Sequence, residues 1–148
     1  MSRWDDVFVA ATFAEAGEHD AALAHLHERG AVLAAASAPF LDAGALDCAL
    51  GLSRRIGAGI EVLVAEADAP EPTAASAVKK RLRQAGVPYR LGTTREALAR
   101  AAVRFVRDHP HVRMVVVDGR EVPPRARGRG EWMQLACPLV VAGANDGN

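Results

Sequence analysis

Apolar residues recur along this chain with two periods, and the switch between them marks out its elements. Trp4, Val7, Phe8 and Ala11 share one side of a helix, as do Ala22, Leu23 and Leu26. Between these runs lies AEAGEHD, where Gly17 suits the end of one helix and Asp20 the start of another. The spacing predicts a helical hairpin, or one kinked helix, from Met1 to about Arg29.

From Gly30 onward, period-two and continuous apolar runs alternate with helical ones. Ala31 to Ala36 reads as a strand. Leu41, Ala45, Cys48, Ala49, Leu52 and Ile56 then line one helical face, which Gly57 stops. IEVLVA, Ile60 to Ala65, is a second strand, and ADAPEP a loop. Thr73 to Ala85 is a helix with Val78, Leu82 and Ala85 inward, stopped by Gly86. VPYRL is a short third strand whose Pro88 suits a sheet edge. Thr93 and Glu96 have capping-box spacing and are expected to open a helix that buries Leu98, Ala102 and Phe105 and ends at His109 and Pro110. VRMVVVD is a continuous apolar strand of the kind buried on both faces. A Gly- and Arg-rich loop follows, then an expected helix of about two turns from Glu131, and LVVA as the last strand. This alternation predicts an α/β fold with a parallel sheet covered on both faces, divided as a hairpin over 1–29 and an α/β domain over 30–148. Periodicity alone leaves the strand order open.

Composition narrows the partners. Half of the 148 residues are apolar and the 18 basic residues equal the 18 acidic ones, so no global charge draws nucleic acid or anionic lipid. No nucleic-acid partner and no membrane insertion are expected. Cys48 and Cys137 lack a CxxC spacing, and Asp5 and Asp6 stand where an export signal would be basic. Reduced thiols and a cytoplasmic location are the expectation.

Candidate chemistry gathers in VVVDGREVPPRARGRGEW, Val115 to Trp132. Gly119, Gly128 and Gly130 let backbone approach an anion, and Arg120, Arg125, Arg127 and Arg129 supply countercharge. Glu121 and Glu131 in the same loop oppose an anion. Elsewhere the patterns are weaker. His25 and His27 are two apart and point to different helix faces. His109 and His111 lie at a helix-to-strand connection, and no carboxylate or cysteine cluster in the sequence completes a ligand set, so no metal is expected. Ser37 lacks a G-x-S-x-G setting and Cys48 lacks a partnering base, so no catalytic residue is assigned and no enzyme is expected. RARGRG lacks the interleaved aromatics of RNA-binding segments.

AVLAAAS, RRIGAGIEVLV, LRQAGVPYRLG, MVVVDGR and CPLVVAG, in this order over Gly30 to Gly143, together resemble the universal stress protein family. The resemblance implies a five-stranded parallel sheet of order 3-2-1-4-5, with the winding reversed between strands one and four. Its crevice would lie at Ala36-Ser37 and Asp118-Gly119. Nucleotide-binding members carry an Asp after the first strand and a G-x2-G-x9-G-[ST] run after the fourth. Here Ala36 or Ser37 stands at the first position, Val122 at the second Gly, and Gly130-Glu131 replaces the last pair once a gap is allowed. Glu131 would place its carboxylate at a helix N-terminus where a phosphate should sit. The implied function is that of a non-enzymatic regulatory or interaction protein with a decayed nucleotide site and no cofactor. The alternative is a stress sensor binding ATP or another adenine nucleotide through Ser37, Gly119, Arg120, Arg127, Gly128 and Gly130. The resemblance also implies a homodimer paired through Leu139 to Ala142, an apolar edge strand. FAEAGEHDAALAHL resembles a single tetratricopeptide-type hairpin, a unit that buries its face on neighbours, so it is expected to pack on the domain or on a protein partner.

Overall fold

A computed structural model describes residues 19–37, 44–66, 72–122 and 130–143. Helix α1 (His19–Arg29) leads into β1 (Ala31–Ser37), followed by α2 (Gly44–Ile56), β2 (Gly59–Ala65), α3 (Pro72–Ala85) and β3 (Tyr89–Thr94). Next come α4 (Leu98–Asp108), β4 (Val112–Asp118), short 3-10 turns at Gly119–Glu121 and Glu131–Gln134, and β5 (Leu139–Ala142). The five strands form one sheet of order β3-β2-β1-β4-β5, and every pairing is parallel. α1 is the second half of the expected hairpin; Trp4, Val7, Phe8 and Gly17 lie outside the described residues.

Alternation along each strand divides the core into two layers. Val32, Ala34, Ala36, Val62, Val64, Leu91 and Val116 face α2 and α3. Leu33, Ala35, Leu63, Val115 and Val117 face α4, where Phe105 is fully buried. Both faces being covered explains why β1 reads as an unbroken apolar run and β2 as one interrupted only by Glu61. Gly57 and Gly86 end α2 and α3 with left-handed φ of 72° and 71°. Asp47 and Arg81 pair across the two helices on the outer surface.

The strands are stitched at their amino ends, beneath α1. Gly30 N–H closes α1 on the Leu26 carbonyl at 3.0 Å, Ala31 N–H bonds the His111 carbonyl at 3.0 Å, and Gly59 N–H bonds the Gly30 carbonyl at 3.0 Å. Only glycine fits at position 30: its φ is +86°, and a Cβ would lie 2.5 Å from Arg113 Cδ. Register shifts between Ala31 and Val32 relative to β4, at this crowded point. Leu26 is fully buried and seals α1 onto Gly59.

Two local expectations are corrected. The Thr93–Glu96 capping box does not form, because β3 extends through both threonines. Thr94 Oγ1 instead accepts the Glu96 N–H at 3.1 Å, and α4 starts at Leu98 with no side-chain cap on Ala97. The Glu96 carboxylate pairs with Arg104 at 2.8 Å. The helix expected from Glu131 is a single 3-10 turn. Pro138 bars helical backbone at Cys137, and Trp132 turns inward to fill the layer beneath α4. Glu131 therefore caps no helix; its carboxylate meets Arg100 at 3.0 Å on the surface.

Candidate functional site

Strand order reverses at β1 and β4. β1 leaves through α2 on one face, and β4 is entered from α4 on the other. The carboxyl ends of these two strands therefore part, which is where open parallel sheets hold ligands. Ser37 ends β1 there, and Asp118 ends β4 and begins the 3-10 turn of Gly119, Arg120 and Glu121. Val122, buried in the α4 layer, anchors that turn from below.

Among the described residues of this crevice, each charge has a partner within the chain. Asp118 Oδ1 accepts the Arg120 backbone N–H at 2.9 Å and its Nε–H at 3.0 Å. Burial raises the Asp118 carboxyl, but the two Arg120 bonds outweigh it and hold the group below the usual aspartate value. Glu121 reaches back across the crevice. Its Oε2 accepts the Ser37 backbone N–H at 2.6 Å and its Oε1 accepts the Ser37 hydroxyl at 2.9 Å. These two donors are what the end of β1 offers an incoming anion, and a carboxylate of the chain itself fills them. Among the described residues of the crevice, two carboxylates face one guanidinium. Between β1, β2 and the helices α2 and α3 a gap no larger than a water molecule is lined by Ala34, Ala36, Ala45, Leu46, Val62 and Val78.

Of the sequence-derived site residues, Ser37, Gly119 and Arg120 meet at this crevice, while Gly130 opens the Trp132 turn. Arg127 and Gly128, with Arg125 and Arg129, lie outside the described residues. Glu121 is visible in the sequence as a charge opposing anions, but its bond to Ser37, 84 positions away, is not.

A second polar cluster lies at the opposite, amino edge and escapes sequence reasoning. Glu61 on β2 is fully buried and takes both arms of Arg90, Nε–H to Oε1 and Nη2–H to Oε2, each at 2.8 Å. His111 Nε2 also contacts Glu61 Oε2, so the HPH motif does meet a carboxylate. Burial pushes the Glu61 carboxyl up, but bonds from His111 and Arg90 outweigh it and hold the group low. His109 stacks on Phe105 with ring centroids 4.0 Å apart, and its Nδ1–H donates to the Phe105 carbonyl. Burial lowers its affinity for a proton. One signal was available: Glu61 and Arg90 are lone charges near the starts of two neighbouring strands, and parallel register sets them opposite each other. Among the described residues no three His, Cys, Asp or Glu side chains are arranged to hold a metal ion. No helix there is long and apolar enough to cross a membrane.

No protein-family model and no curated protein sequence matches the chain. Solved structures do. The universal stress protein UspA from Lactobacillus plantarum aligns at 13% identity and a TM-score of 0.52, over 76% of this chain and 97% of that one. A universal stress protein in complex with cAMP aligns at 15% identity and a TM-score of 0.56, over 76% and 95%. The likeness is one of fold: the sheet described above is that of the universal stress proteins.

Proposed function

We propose that this chain is a non-enzymatic regulatory or interaction protein on the universal stress protein fold, with a nucleotide site closed by its own side chains. The observation that carries the reading is Glu121 bonded to both donors of Ser37. A nucleotide phosphate approaching this end of β1 would meet Glu121 and Asp118, with Arg120 already committed to Asp118. The chain works by presenting surface to partners, as a homodimer joined through the half-buried edge strand β5, in the cytoplasm.

A second reading has its own support. A protein of the same fold is known in complex with cAMP. In that case the chain senses an adenine nucleotide, with the Arg125–Arg129 segment binding its phosphate. Thermal melting separates the two. A ligand at 100 times its dissociation constant adds about 2.7 kcal/mol, or roughly 5–10 °C for a chain of this size. Millimolar Mg-ATP and cAMP are expected to produce no shift. A saturable shift with either would overturn the closed-site reading in favour of the sensor.

A further inference from the structure

Helix α1 packs across the amino ends of β2 and β3, with Leu26 fully buried and the centroid of the His27 ring 4.8 Å from that of His111. Beneath it, one carboxylate gathers three separate parts of the sheet. Glu61 of β2 takes both arms of Arg90 from β3 and touches His111, the residue before β4. β1 lies between β2 and β4, so the His111 contact passes the end of a strand to which neither residue belongs.

The apolar pattern alone leaves the pairing of these strands open. β3 is outermost and pairs only with β2, setting Tyr89 against Ile60, Arg90 against Glu61 and Leu91 against Val62. A slip of one residue is excluded by alternation, since it would turn Arg90 onto the apolar face that holds Val78 and Leu82. A slip of two residues, about 6.6 Å along the strand, is not. Tyr89 and Leu91 would keep their face and meet Val62 and Val64 in place of Ile60 and Val62. What that slip would break is the fork, because Arg90 would face the fully buried Leu63 and Glu61 would face Pro88. Glu61 and Arg90 are the only charged residues of the two strands.

β4 poses the same problem. Its Met114 to Val117 run is apolar toward both faces, and its register against β1 shifts between Ala31 and Val32, where Arg113 is passed over and left exposed. His111 stands just before that shift. Its carbonyl accepts the Ala31 N–H and its ring meets Glu61, so the point from which β4 starts is fixed from β2. A buried ion pair adds little net stability over apolar groups of the same volume, and its best-attested use is to select one arrangement among several of similar energy.

We propose that the Glu61–Arg90–His111 cluster is a register pin, which selects one pairing of β3 on β2 and one starting point for β4 without adding net stability. It lies at the edge opposite the crevice and is independent of what binds there.

Solution NMR of the full chain at pH 7 tests it, comparing the natural protein with the Glu61→Leu, Arg90→Met variant. The natural chain is expected to give one amide cross-peak per residue in β3 and over Val112 to Met114, with NOEs pairing Val62 and Leu91. The combined variant is expected to unfold at nearly the natural urea concentration, yet to show doubled or broadened cross-peaks at both places. Its β3 amides are expected to lose roughly tenfold or more of their exchange protection beyond any loss in β1. Leu91→Val, which weakens the same strand without touching the pair, is expected to keep one set of β3 cross-peaks. A natural single set at either place in the combined variant would overturn the pin. So would a combined variant that fails to fold, because the pair would then supply stability. Doubling in Leu91→Val would overturn it as well, because β3 would then be loose with the pair intact.

Discussion

Replacing Glu61 by Gln would leave the Arg90 guanidinium buried with a neutral partner in a sheet where its side chain is 8% exposed. Removing one member of a buried pair costs about 3–5 kcal/mol, because the survivor's charge stays out of water without compensation. For a chain of this size that corresponds to a fall in melting temperature of roughly 10–15 °C. Arg90→Met should cost a similar amount by isolating the Glu61 carboxylate. The combined Glu61→Leu, Arg90→Met variant should recover to within about 1–2 kcal/mol of the natural protein, since a buried pair replaced by apolar groups of similar volume is often neutral. The assay is urea unfolding at pH 7 of the natural protein, Glu61→Leu, Arg90→Met and the combined variant, assembled as a double-mutant cycle, with Glu61→Gln measured beside them. Acid titration adds a signed check. The folded Glu61 carboxyl titrates below its unfolded value of about 4.5, so its contribution is complete above that pH and is lost as pH falls through the folded value. That acid limb should be absent from the combined variant. Single substitutions costing under 1 kcal/mol, or a combined variant no more stable than either single one, would refute the reasoning.

Glu121→Ala should cost about 1.5–3 kcal/mol in urea unfolding, because it strands the Ser37 donors, and should strengthen binding of inorganic phosphate or ATP by calorimetry. Gly51→Ala, on the exposed face of α2 with nothing within 4 Å of the new Cβ, should stabilise the protein by about 0.5–1 kcal/mol. Gly59→Ala should destabilise it by about 1–3 kcal/mol, since the Cβ would lie 2.6 Å from Leu26 Cδ2 and 2.9 Å from the Pro88 carbonyl oxygen. Burial holds folded His109 below its ordinary value of 6.5, so the unfolded chain takes the proton first; stability complete above that pH should decline below it, and His109→Asn should flatten the slope in unfolding midpoints. Light scattering at tens of micromolar should give the mass of a dimer, and a charged residue at Val140 should reduce it to a monomer.

The sheet was readable because parallel strands buried on both faces leave apolar runs, as in AVLAAAS and the Val115 to Val117 stretch of β4. Strand order was not contained in that periodicity and came through resemblance alone. The errors fell where one residue decides between two local conformations. Thr93 and Thr94 suit a strand as well as a cap, and the extension of β3 decided between them. Trp132 fell within the helix expected from Glu131, yet its burial beneath α4 together with Pro138 permits only one tight turn. At the candidate site, the crevice followed from strand order, and the opposition of Glu121 to anions from its charge. Its bond to Ser37 did not, because contacts across 84 positions carry no local pattern. The same holds for Arg90 and His111, which lie 29 and 50 positions from Glu61.

β1 joins the two polar edges, with Gly30 before its amino end and Ser37 at its carboxyl end. Seven residues of strand at about 3.3 Å each separate the two by roughly 20 Å. Substitutions more than about 7–10 Å apart with no shared partner contribute additively. Changes at Ser37 or Glu121 and changes at His27 or Glu61 should therefore combine without epistasis. Selection could remodel the crevice while leaving the cover over Glu61 intact, or alter that cover while the crevice stays closed. A divergent sequence on a preserved sheet is the outcome such independence allows.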